Sequence, residues 1–89
     1  MLYVDSYQIA DILGCHTSTL RVLKRYTMPH DVPSKMVGAS KLAPSNLRRL
    51  HGYEVNHVIA WLRKTLLPGR LTQANERELL SMARGAQSE

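Results

Sequence analysis

Cys15 is the chain's one cysteine, so no intramolecular disulfide can form, and the composition fits a reducing cytoplasm. Phenylalanine is absent. The four tyrosines are scattered and belong to no basic sheet, which argues against a stacking platform for single-stranded nucleic acid. No apolar run approaches the ~20 residues that a membrane-spanning helix needs. Met1-Leu-Tyr-Val-Asp5 has neither the basic start nor the apolar stretch of a signal peptide, which makes a soluble, intracellular protein the expectation.

Catalytic groupings are missing as well. There are no paired carboxylates, no nucleophile with a nearby base and no glycine-rich phosphate loop. His16, His30, His51 and His57 do not combine with Cys15 in a zinc spacing, and Cys15 is expected as a small buried apolar residue. The expectation is therefore a non-enzyme without cofactor or metal. Acidic residues are few, 7 against 12 Lys and Arg, for a formal net charge of +5. That balance favours a polyanionic partner, because each phosphate neutralised releases condensed counterions. Eighty-nine residues suffice for one small domain, whose marginal core would gain from a partner or from self-association. No internal repeat or low-complexity tract is visible.

The stretch from Ser6 to Arg25 carries the strongest pattern. Ile9, Ala10 and Leu13 share one face of a first short helix, Leu20 and Leu23 share one face of a second, and Gly14 and Cys15 lie between. Asp5 followed by Gln8 has the form of a capping box, with Asp in the place of Ser or Thr. Gly14 suits a helix end with positive φ, and Ala10 is small where the second helix would cross. Ser18 and Thr19 are candidates to cap the second helix or to contact phosphate. His16, Thr17, Ser18, Arg21, Val22, Lys24 and Arg25 are left facing outward. Two helices crossing through a tight turn in this way form a helix-turn-helix.

Pro29 and Pro33 exclude a regular helix after Thr27. Lys35-Met-Val-Gly38 and Leu47-Arg-Arg-Leu-His51 are expected as the strands of a hairpin, joined by a turn-rich polar segment. From Tyr53 to about Leu66 the period becomes helical. Val55, Val58, Ile59, Leu62 and Leu66 make a stripe with Trp61 on its border, and Pro68-Gly69 ends it. Thr72 to about Arg84 is a candidate C-terminal helix with an apolar group at Leu79, Leu80 and Ala83, expected to fold back onto the domain or to join a neighbouring copy. The expected fold is mainly α with a small β-hairpin. Its division is a domain over residues 1–67 and, over residues 68–89, a linker and C-terminal helix for packing or oligomerisation.

Val4-Asp-Ser-Tyr-Gln-Ile-Ala-Asp-Ile-Leu-Gly14, Ser18-Thr-Leu-Arg-Val-Leu-Lys-Arg25 and Gly52-Tyr-Glu-Val-Asn-His-Val-Ile-Ala-Trp-Leu62 together resemble the winged helix-turn-helix group of phage excisionases, AlpA-like prophage regulators and MerR-type DNA-binding domains. Glu54-Val55 and Trp61-Leu62 match the acidic-Val and Trp-Leu pairs common in its last segment. His16 stands where the group usually has Ser, and the Gly38 to Leu47 segment is longer than the wing of many excisionases. The resemblance implies a phage or mobile-element protein of the bacterial cytoplasm and nucleoid. It would bind double-stranded DNA as excisionase or transcriptional regulator, assemble in several copies and engage a recombinase or the transcription machinery. The recognition helix would supply His16, Thr17, Ser18, Arg21, Val22, Lys24 and Arg25. The wing would supply Lys35, Lys41, Arg48 and Arg49, along phosphates or in a minor groove. Two alternatives stand beside it. One is the recognition domain of a phage DNA-packaging subunit, and the other is an interaction module that binds a host or phage protein through the terminal segment.

Overall fold

The computed structural model describes residues 1–65 and 71–87. The elements run β1 (Tyr3–Asp5), α1 (Ser6–Leu13), α2 (Thr17–Thr27), β2 (Ser34–Gly38), β3 (Arg49–Glu54), α3 (Val55–Thr65) and α4 (Gln73–Gln87). Among the described residues these make a small mixed α/β structure, four helices with a three-stranded antiparallel sheet in the order β1-β3-β2. The expected two-stranded hairpin therefore has a third strand. Tyr3, Val4 and Asp5 pair with Glu54, Tyr53 and Gly52 respectively. Three residues are too few to show a period of two, and only β3 supplies the partner that makes them a strand.

The start and end of α1 follow from its sequence. Asp5 Oδ1 accepts from the Gln8 N–H at 2.9 Å and Gln8 Oε1 accepts from the Asp5 N–H at 3.0 Å, a complete capping box. At the other end Gly14 adopts φ 66°, and the Cys15 N–H donates to the Ala10 carbonyl at 3.1 Å. A side chain at that φ would cost about 1–2 kcal/mol. In the turn into α2, Ser18 and Thr19 do not take the capping role, the first of the two open to them. His16 is the N-cap residue and makes no side-chain cap bond. The Ser18 hydroxyl lies instead 3.3 Å from His16 Nδ1.

The second strand of the hairpin is shifted toward the C-terminus. Leu47 and Arg48 lie in the loop, while Gly52, Tyr53 and Glu54 belong to β3, so that α3 begins at Val55 instead of Tyr53. Gly52 permits this. A Cβ there would lie 2.8 Å from Val37 Cγ2 and 3.1 Å from Tyr3 Cβ, so the three strands close only around a residue with no side chain. Glu54 then starts α3 by accepting from the Asn56 N–H at 3.0 Å and the His57 N–H at 3.1 Å. The expected helix stop at Pro68-Gly69 lies outside the described residues.

One core joins β1, β3 and the four helices, and β2 contributes no residue to it. Val4, Ile9, Leu20, Val55, Val58, Leu62, Leu79 and Ala83 are fully buried. Trp61 is also buried, and its indole N–H donates to Thr27 Oγ1 at 3.0 Å, tying α3 to the end of α2. The apolar group of α4 folds back onto this core, with Leu80 partly buried beside it. Arg63 of α3 holds Glu76 of α4 through Nε at 3.0 Å and Nη2 at 2.5 Å. The fork keeps the Glu76 carboxyl below its ordinary range and raises the Arg63 guanidinium. Among the described residues no helix is long and apolar enough to cross a membrane.

Candidate nucleic-acid interface

Helix α2 turns Leu20 into the core and leaves Ser18, Arg21, Val22 and Arg25 exposed on the opposite side. Val22 is 55% exposed, a large apolar side chain held in water at the middle of this face. His16 is exposed at the start of the helix, and Thr17 is half-buried. Arg25 lies over the Tyr26 ring at 5.9 Å.

Lys24 does not face outward as its position in the pattern suggests. It is half-buried, and its ammonium donates to Ser6 Oγ at 2.7 Å and to the Tyr53 hydroxyl at 3.1 Å, 4.7 Å from the Tyr53 ring centroid. It thus ties α2 to the start of α1 and to β3. The helical stripe of α2 alone could not indicate this, because the acceptors lie 18 and 29 residues away in sequence.

The hairpin cations divide among three environments. Arg48 and Arg49 are exposed at the start of β3 and its approach, and Arg49 Nη2 donates across the hairpin to the Met36 carbonyl at 3.3 Å. Lys35 sits opposite Gly52, on the alternate side from Tyr53, with its ammonium 4.5 Å from the Tyr3 ring centroid. By the same alternation Lys35 and Arg49 lie on opposite faces of the sheet. Lys41 borders a second cleft, between the hairpin loop, Gln8 of α1 and Met82 of α4, to which α2 contributes nothing.

The long loop between β2 and β3 has internal order. The Ala39 N–H donates to the Arg48 carbonyl at 2.9 Å, Ala43 to Ser40 at 3.1 Å and Leu47 to Pro44 at 3.0 Å. The Ser40 N–H donates to Asp5 Oδ2 at 3.2 Å, so one carboxylate both caps α1 and anchors the loop.

Between α2 and the hairpin runs a cleft of about 260 Å³, whose walls include Ser6, Tyr7, Thr17, Arg21, Lys24, Leu47, Leu50, His51 and Tyr53. Two cations, a histidine and four hydroxyls meet there, and no carboxylate does. Arg21 and Thr17 are the expected interface residues that the cleft unites with Lys24, while Ser6, Tyr7, His51 and Tyr53 join them without any signal of their own. Nothing in the local pattern distinguishes these four, since α1, β3 and α2 come together only through the tertiary fold. Among the described residues no group of His, Cys, Asp and Glu side chains is placed to hold a metal ion. The chain matches no protein-family model, and comparison with curated proteins and with solved structures gives no match either.

Proposed function

We propose that this protein is a winged helix-turn-helix that binds double-stranded DNA sequence-specifically, with α2 as recognition helix and the β2–β3 hairpin as wing. The observation that carries the reading is the pairing of an exposed polar and basic face on α2 with a basic hairpin across a cleft free of carboxylates. A major groove admits one helix, and a hairpin beside it reaches the neighbouring backbone and minor groove. Ser18, Arg21, Val22 and Arg25 then face base edges, and Arg48 and Arg49 lie along phosphates. The resemblance to phage excisionases and prophage regulators extends the proposal to a phage or prophage protein that remodels or regulates its site.

The interaction-module alternative loses its docking surface, because Leu79 and Ala83 are fully buried and Leu80 packs beside them. Binding to random duplex DNA across a salt series tests the proposal. Affinity falling steeply with salt is expected, and Arg49→Ala should flatten that slope by about 0.9, the value for one phosphate no longer neutralised. No binding even at low salt would overturn the DNA reading.

A further inference from the structure

We infer that the cleft between α2 and the hairpin is a phosphodiester site, with the Lys24 ammonium as its anchor, that seats the backbone ridge between the two grooves. The inference rests on the DNA-binding reading above and assigns it a specific phosphate seat. Its walls hold Lys24 with its partners Ser6 and Tyr53, and beside them Tyr7, Thr17, Arg21 and His51. An ammonium carries three N–H donors, and Ser6 and Tyr53 take two of them. The third remains for a ligand, on a side chain whose position is already fixed from two sides. The ordering entropy of a long lysine is thereby lost on folding instead of on binding.

A second observation points the same way. Lys24 is a half-buried cation whose partners are neutral hydroxyls and an aromatic ring, and among the described residues the ion pairs are His57–Glu54 and Arg63–Glu76 only. A partly desolvated charge without a counter-ion favours an anion beside it. The cleft hydroxyls of Tyr7 and Thr17 add neutral donors suited to phosphate oxygens. The site also has a geometric reason to hold backbone. A helix in one groove and a hairpin in the next must straddle the phosphate ridge that separates them, and this cleft is the space between those two elements.

The test uses single phosphates of a bound duplex replaced one at a time by uncharged methylphosphonate, with inorganic phosphate as a separate probe. In the wild type, neutralising one or two adjacent phosphates should weaken binding about ten- to a hundredfold. In Lys24→Met those positions should lose their effect while all others keep theirs. A lysine that only braces α2 against β3 would leave every phosphate's effect in place, and that result overturns the proposal. Tyr7→Phe, which removes one cleft hydroxyl and no described hydrogen bond, should reduce the effect at the same positions if Lys24→Met fails to fold; no change there also overturns it. By NMR, inorganic phosphate should shift resonances of Ser6, Tyr7 and His51 in the wild type and not in Lys24→Met. Such shifts without coupling between Lys24 and any duplex phosphate would make the site one for a free phosphate-bearing ligand and overturn the backbone assignment. Absence of all duplex binding would overturn the DNA reading itself, and the backbone assignment with it.

Discussion

At the scale of single residues, Glu54 shows how a buried charge is retained by position. It is 3% exposed, and burial opposes its ionisation. The Asn56 N–H, the His57 side chain and the His57 N–H outweigh that cost and hold the carboxyl below its ordinary 4.5. A carboxyl with a lowered folded-state pKa contributes stability above the unfolded value and loses it as pH falls through the folded value. Urea midpoints of the wild type should therefore drop as pH falls below the ordinary glutamate range, and Glu54→Gln should show a shallower drop. At neutral pH Glu54→Ala, which removes both accepting oxygens, should cost about 0.5–2 kcal/mol, the range of a lost N-cap. Equal acid slopes in the wild type and Glu54→Gln would remove Glu54 from the account. Arg21 tests the opposite kind of residue, an exposed side chain on the outer face of its helix. Arg21→Ala should leave the melting temperature unchanged, cost about 1–3 kcal/mol of binding and relax preference at one base position, as selection from a random duplex library would reveal. Uniform weakening across all sequences would make Arg21 a backbone contact instead.

Among the elements, α1 was the most legible in the sequence, because its signals are local. Asp5, Gln8 and Gly14 act on backbone groups within a few residues of themselves, and each does so at the position the pattern assigns. The first strand was not legible, since Tyr3–Asp5 becomes one only by pairing with Tyr53 and its neighbours far along the chain. The start of α3 moved for a related reason. Glu54 fits a helix by composition, yet β3 claims it as its last residue and uses its carboxylate as the cap. The candidate site was half legible. The exposed face of α2 followed from its helical period, but the tethered Lys24 and the cleft hydroxyls required the fold. Helix α4 is the element that tests the core most directly. Leu79 has no exposure, and its helix packs against α1, β1 and α3. Leu79→Ala should lower stability by about 2–5 kcal/mol in a urea titration, while a surface or oligomer role would give well under ~1 kcal/mol together with a change in sedimentation.

For the whole molecule, the proposed DNA binding would let dimensions link one copy to several. The protein measures 34 × 25 × 24 Å, and a helical turn of DNA is about 34–36 Å. A copy lying with its long axis along the duplex covers about one turn, so that a second copy on the same face one turn away meets it end to end. A net charge of +5 sets copies against each other in solution, whereas on DNA, under the proposed function, the phosphates would screen that repulsion and fix the orientation of approach. Assembly should therefore depend on the duplex and on the phase of the sites. Two copies of the selected site placed one turn apart should fill cooperatively in a gel-shift titration, with the singly bound species scarce. Moving one site by about half a turn puts the copies on opposite faces, and the two should then fill independently. The protein without DNA should sediment as a monomer at the same concentrations. Independent filling at both spacings would leave each copy acting alone, and a stable dimer free in solution would place the association in the protein rather than on its sites.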